Sequence, residues 1–394
     1  MKIEKLDNKG RGITYYNNLI TFVENALPSE DVEIEIKQEN KKFYLAEATS
    51  IKTENKNRTI PKCPYYKECG GCNLLHINSE YEDEYKETKV SEILKKYANV
   101  DMSIKTIKND KELFYRNKIS LKIENGNFGY YNSSTHELCS INNCLIASSA
   151  INDFLKKKEI LNIKNGSITI RSNYKNELML IITTDDKMSI DLENLPSNVV
   201  SVILNNKCLT KDNFFYDKID DFEFKVSYDS FFQVNNYMAG CIFKILRNNL
   251  SGKNLLDLYC GVGTLGLALK DNFKNIYGIE KVKNAIIDAK YNAKINNVNN
   301  AKYYAGDTVR VLKDLNETFD TVVVDPPRSG LNEETIKLLL EINPKTICYV
   351  SCDPMTLARD LKILKENYNV KKINVLNMFP NTYHVETLVI LNRK

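Results

Sequence analysis

The chain has 394 residues, more than one hydrophobic core ordinarily organises, so two or three domains are expected. Fifty-five Lys and Arg against 51 Asp and Glu leave a formal net charge of +4, a weak signal for a polyanionic partner, and any basic face must be local. There is no apolar run of bilayer length and no charged-then-apolar leader at Met1-Lys-Ile-Glu-Lys5, so no membrane association is expected and the location should be cytoplasmic. Ten cysteines in a reducing compartment argue for metal ligation or catalysis over disulfides.

Residues 3–51 alternate as strands do, at Ile20–Val23, Val32–Ile36 and Phe43–Ala46, with Gly10-Arg-Gly12, Asn17-Asn18 and Leu27–Glu30 as turns. This predicts a small all-β barrel. Lys9–Ile13, Phe22–Pro28 and Val32–Ile36 resemble the TRAM domain, a small RNA-binding barrel. The polar run Thr53–Thr59 reads as a linker.

Cys63-Pro-Tyr-Tyr-Lys-Glu-Cys69-Gly-Gly-Cys72 packs three thiols into ten residues, with glycines that let the backbone fold round one centre. Cys144 is the expected fourth ligand and Cys139 the reserve; four thiolates suit a tetrahedral zinc or a [4Fe–4S] cluster. Glu80–Ala98 has helical spacing at Tyr81, Tyr85, Val90, Ile93, Leu94 and Tyr97 with charges between, which predicts a surface helix. Phe114–Ile119 opens a strand-rich region whose cations and aromatics suit phosphates and stacked bases, or an ordinary strand rim. Lys118–Tyr131 reads as a hairpin, Ile151–Leu161 as a helix, and Gly166–Thr183, Val199–Leu204 and Phe222–Val226 as strands. Ser230-Phe-Phe-Gln-Val-Asn235 precedes a helix at Tyr237–Leu250.

From Asn254 the pattern becomes strand, turn, helix, repeated. Leu255–Leu258 runs into Gly261-Val-Gly263, and Ile276–Glu280 ends in an acid; this is how doubly wound folds hold a nucleoside, the acid taking the ribose hydroxyls. On this stretch alone an NAD site stays open. Tyr303–Asp307 supplies a third strand with a carboxylate placed for an adenine amino group, and Thr321–Val324 a fourth that ends at Asp325-Pro-Pro-Arg328. Ile347–Val350 is a fifth; Asp353 suits an N-cap and Pro354 the first helical position. Cys352 therefore sits between a strand end and a helix start, where helix N–H groups should lower its pKa and make it a nucleophile.

Asp257–Thr264, Asp325–Arg328, Tyr349–Pro354 and His384–Leu388, in that order behind Ser230–Asn235, resemble the S-adenosylmethionine-dependent RNA uracil-5-methyltransferases, and the likeness runs through essentially the whole chain. It implies a multidomain α/β protein: a TRAM-like barrel (1–55), a central α+β iron–sulfur domain (56–235) whose helix near 80–98 packs on the catalytic domain, and a Rossmann-like class I methyltransferase domain (236–394). It further implies that Gln233, Tyr259, Glu280 and Asp325 hold the methyl donor, with Gly261, Thr264 and Asp307 beside them. Cys352 becomes the nucleophile and Glu386 the general base, and Cys63, Cys69, Cys72 and Cys144 hold [4Fe–4S]. Thr264 stands where some members carry Asn.

The chemistry suits the residues. Uracil C5 is a poor nucleophile, so a Cys352 thiolate adding to C6 would make it enolate-like, and a base must then take the C5 proton. His384, two residues from Glu386, is the alternative base. Phe232, Phe379 and Tyr383 are candidates for a pocket that receives an unstacked base. Arg328 after Asp-Pro-Pro argues against amino-group methylation, which favours an aromatic there, and Ser351 before the thiol argues against cytosine-5 chemistry. The implied partner is RNA, 23S ribosomal RNA before the transfer-RNA T-loop, and the default state is a monomer. A non-catalytic iron–sulfur RNA-binding protein is the reading from a different class.

Overall fold

The computed structural model describes residues 1–132, 135–187 and 189–394. At the N-terminus, β1 (Lys5–Leu6), β2 (Gly12–Tyr16), β3 (Leu19–Glu24), β4 (Asp31–Glu39) and β5 (Phe43–Thr53) form one sheet in the order β1-β2-β3-β5-β4. A bridge from Lys2 to Asp31 ties the N-terminal segment to β4, and the sheet encloses Ile3, Val23, Ala26, Val32 and Ala46.

Helix α1 (Ser79–Ala98) is capped by Asn78, whose side chain accepts from the Tyr81 N–H, and ends at Asn99 in the left-handed conformation. The surface-helix reading is corrected. Val90, Ile93, Leu94 and Ala98 enter the apolar core of the C-terminal half, and Glu82, Asp83, Lys86 and Lys89 are buried as well. Charges that looked solvated are satisfied by protein groups instead, which no spacing rule detects.

Strand β6 (Lys105–Ile107) follows. A second sheet is built from β7 (Lys118–Glu124), β8 (Asn127–Tyr131), β9 (Leu138–Ser140), β10 (Gly166–Ser172), β11 (Leu178–Thr183), β12 (Val199–Leu204) and β13 (Lys207–Cys208), in the order β13-β12-β11-β10-β7-β8-β9. It packs on α2 (Ser149–Leu155) through Ile119, Phe128, Phe154 and Leu180. The helix expected to reach Leu161 stops at Leu155 and resumes as a short tight turn at Lys158–Leu161. The break brings the buried Lys158 ammonium onto the Ile141 carbonyl and Asn142. β14 (Phe214–Ile219) and β15 (Phe222–Ser227) form a separate hairpin before α3 (Asn236–Asn249).

The C-terminal half alternates as read: β16 (Gly252–Leu258), α4 (Thr264–Ala268), β17 (Phe273–Glu280), α5 (Lys283–Ile295), β18 (Ala301–Ala305), α6 (Thr308–Asp314), β19 (Thr321–Val324), α7 (Glu333–Ile342), β20 (Thr346–Ser351) and α8 (Pro354–Leu364). β21 (Tyr368–Leu376) and β22 (Glu386–Arg393) complete it. The sheet order is β18-β17-β16-β19-β20-β22-β21-β6, parallel except for β22, which runs antiparallel to β20 and β21. Leu255, Val323, Cys348 and Leu388 pack in one core, and Leu256, Val322, Tyr349 and Val389 in another, so the sheet is covered on both faces. The chain order turns back between β16 and β19, which places a ligand crevice at their carboxyl ends. Among the described residues no helix is long and apolar enough to cross a membrane.

Candidate active site

The crevice at that reversal is lined by Gln233, Tyr259, Gly261, Thr264 and Asp325 together with Asp257. Three positive φ values make the turn after β16: Tyr259 (63°), Gly261 (53°) and Gly263 (88°). A tyrosine held there is strained, and its neighbours must enforce it. One Asp257 carboxyl oxygen accepts the Gly266 N–H at 2.8 Å, the other has no partner, and burial pushes its pKa up to about 8. Glu280, at the end of β17, accepts from the Gly261 N–H at 3.3 Å and the Val282 N–H at 2.8 Å, so it braces the glycine turn. Burial pushes Asp325 up to about 7. Asp307 stands apart from the crevice lining. One of its oxygens caps α6, accepting from the Val309 and Arg310 N–H groups at 3.1 and 3.2 Å. Asp307 thus serves as an N-cap with one oxygen, two residues beyond the end of β18.

Cys352 follows directly after β20. Ser351 pairs with Thr387, so the next step of the antiparallel register sets Cys352 opposite Glu386, the first residue of β22. Directly opposed residues have Cβ atoms about 5 Å apart on one face of the sheet. The expected lowering of the thiol pKa is overturned: it is pushed up to about 11 by burial, then by Glu386 and Asp325, while Arg328 opposes the rise. Asp353 explains the failure of the helix argument, because its carboxylate accepts the Met355 and Thr356 N–H groups, each at 2.9 Å. The first-turn donors are spent on the cap. Glu386 is buried and its pKa is raised well above the usual carboxylate range, by burial first and Asp325 second.

His384, two residues before Glu386, lines two cavities, and burial, followed by the Arg328 charge, lowers its pKa to about 4. Its ring lies 4.3 Å from that of Tyr383 and 6.1 Å from that of Phe379. Phe232 is buried, 5.5 Å from Phe224, and lines the donor crevice from its core side. Exposed Phe231, one residue earlier, was passed over in the sequence because aromatic character alone does not show which of two adjacent rings faces out.

Cys63, Cys69, Cys72 and Cys144 line one cavity of about 380 Å³, which also meets Arg116, Arg328 and His384. Cys139 lies on β9 and lines the neighbouring groove instead. Among the described residues no group of three or more His, Cys, Asp or Glu side chains is arranged to hold a metal ion. Four thiols on one cavity make an all-sulfur donor set, whose chemistry suits zinc or an iron–sulfur group.

The profile of the tRNA (uracil-5-)-methyltransferase family matches residues 79–394. The chain belongs to this family. Relatives that span nearly its whole length include an RNA methyltransferase of Clostridium acetobutylicum, 33% identical over 441 aligned residues (99% of this chain, 96% of the relative), and one of Aquifex aeolicus, 34% identical over 418 (100% and 98%). Among solved structures, the Pyrococcus abyssi tRNA (uracil-54, C5)-methyltransferase in complex with S-adenosyl-L-homocysteine superposes with a TM-score of 0.81 at 26% identity, covering 99% of both chains. The protein is thus an RNA uracil-C5-methyltransferase of mixed α/β fold that uses S-adenosylmethionine.

Proposed function

We propose that this methyltransferase modifies C5 of one uridine through a covalent Cys352–C6 adduct, with Glu386 as the base. The observation that carries the reading is the opposition of Cys352 and Glu386 in the β20–β22 register. Gln233, Tyr259, Gly261, Thr264, Glu280, Asp307 and Asp325 hold the donor. The donor, when bound, supplies an electrophilic methyl group. Cys352, as thiolate, forms a bond from Sγ to C6, and the electron pair displaced onto C5 takes the methyl group as the sulfonium C–S bond breaks and S-adenosylhomocysteine is left. Glu386 removes the C5 proton, and the returning pair expels Cys352 as thiolate. A carboxylate with a raised pKa is the stronger base, which is what the burial of Glu386 provides. The flanking Phe379, Tyr383 and His384 rings receive the unstacked base.

Cys63, Cys69, Cys72 and Cys144 hold a [4Fe–4S] cluster in this reading, supported by their shared cavity. The N-terminal strands act as a TRAM-like RNA-binding barrel, supported by the groove of about 690 Å³ between them and the cysteine segment, which ends at Tyr383 and His384. The substrate is 23S ribosomal RNA. A second reading, the transfer-RNA T-loop, is favoured by the likeness to the Pyrococcus abyssi tRNA enzyme over 99% of both chains. The chain acts as a cytoplasmic monomer. Labelled S-adenosylmethionine, purified protein and total RNA from a strain lacking the gene test the reading: label in 5-methyluridine at a mapped ribosomal position supports it, and label in transfer RNA replaces it with the second.

A further inference from the structure

The loop Asn377–Val385 joins β21 to β22, carries Phe379, Tyr383 and His384, and delivers Glu386. Its polar backbone is held by side chains from a helix nearly three hundred residues earlier in the chain. The Lys86 ammonium, fully buried, donates to Asn377 Oδ1 at 2.7 Å, the Phe379 carbonyl at 3.0 Å and Glu82 Oε1 at 2.6 Å. The Glu82 carboxylate accepts the Asn381 N–H with both oxygens, at 3.0 and 2.9 Å. Asn377 Nδ2 donates to Asp83 at 2.9 Å, and Lys89 Nζ to the Tyr383 carbonyl at 2.8 Å.

We infer that the buried Glu82–Lys86 pair of α1 is a positioning element for the base: it holds loop Asn377–Val385 in the one conformation that sets Glu386 opposite Cys352. This rests on the Cys352–Glu386 reading above. A buried ion pair is a poor means of raising stability, since desolvation offsets most of the attraction, whereas apolar residues of similar volume would do as well. What it does provide is direction: one ammonium and one carboxylate satisfy three loop groups whose separations are then set. Hydrophobic packing alone would let such an irregular segment slide. A base displaced by about 1 Å loses about 10- to 100-fold in rate, so the pair acts on the proton-removal step and not on donor binding.

The test compares Lys86→Met, the double variant Glu82→Gln/Lys86→Met and Asn377→Ala with the parent protein, after circular dichroism has established which are folded. Removing one partner of a buried pair is strongly destabilising, so Lys86→Met alone is expected to fold poorly; the double variant carries no unpaired charge, and Asn377→Ala leaves the pair intact while cutting one of its contacts to the loop. Expected are a fall in kcat of about 10- to 100-fold, S-adenosylmethionine affinity within about twofold of the parent, and accumulation of the protein–RNA adduct, because addition outruns proton removal. Unchanged kcat in a folded variant overturns the inference, as does a parallel loss of donor affinity, adduct formation and melting temperature, or failure of all three variants to fold, each of which marks a structural role alone. If the parent itself forms no adduct, it is the Cys352 reading that fails.

Discussion

Cys352 and Glu386 each lie one step beyond the last registered β20–β22 pair, Ser351 with Thr387, although an entire helix and a strand separate them in the chain. In the proposed reaction, attack at C6 and proton removal at C5 fall on one nucleobase, and a fixed spacing of these two side chains would serve both.

Glu386→Gln should therefore stop the reaction midway. Turnover is expected to fall by about 10²- to 10⁴-fold, the usual contribution of a positioned base, while the Cys352–RNA adduct persists on a denaturing gel. Cys352→Ala should give neither adduct nor product. An adduct-free Glu386→Gln variant would place Glu386 before the addition step.

The thiol at about 11 is held up partly by Asp325 and Glu386. Pairing Asp325 with a positively charged donor removes part of that penalty. Alkylation of Cys352 at neutral pH should accelerate with S-adenosylmethionine and not with the uncharged S-adenosylhomocysteine, and Arg328→Gln should slow it in both cases. Equal rates with both ligands would separate Asp325 from the donor sulfur.

Asp257 supplies a pH signature. Its folded pKa of about 8 lies above the ordinary carboxylate value of 3.8, so the folded state holds the proton more tightly. That contribution is complete at acid pH and is lost as pH rises from about 4 through about 8. The melting temperature of Asp257→Asn relative to the parent should climb across this window. A constant difference would mean that Asp257 does not titrate there.

Gly278→Ala should weaken donor binding. A Cβ at Gly278 would lie 2.4 Å from the Tyr303 ring, which also packs beneath Gly263 of the donor turn. Overpacking of about 1–3 kcal/mol is expected, read as a lower melting temperature and a higher KM for S-adenosylmethionine.

Each of Cys63→Ser, Cys69→Ser, Cys72→Ser and Cys144→Ser should lose the visible absorbance and the iron of the anaerobically purified protein, whereas Cys139→Ser should retain both. Retention in Cys144→Ser with loss in Cys139→Ser would exchange the fourth ligand.

The linear sequence by itself determined the order of strands and helices in the C-terminal half, the glycine turn after β16, the Asp353 cap and the grouping of three cysteines, because each is written in a window of a few residues. Periodicity, capping and turn chemistry act over that range. Tertiary structure alone decided that the charged face of α1 is buried against the loop before Glu386 and that the Cys352 thiol is raised instead of lowered. Those outcomes depend on which groups exclude water from one another, and the partners involved, Lys86 with Asn377 or Cys352 with Asp325, meet only once the chain has folded.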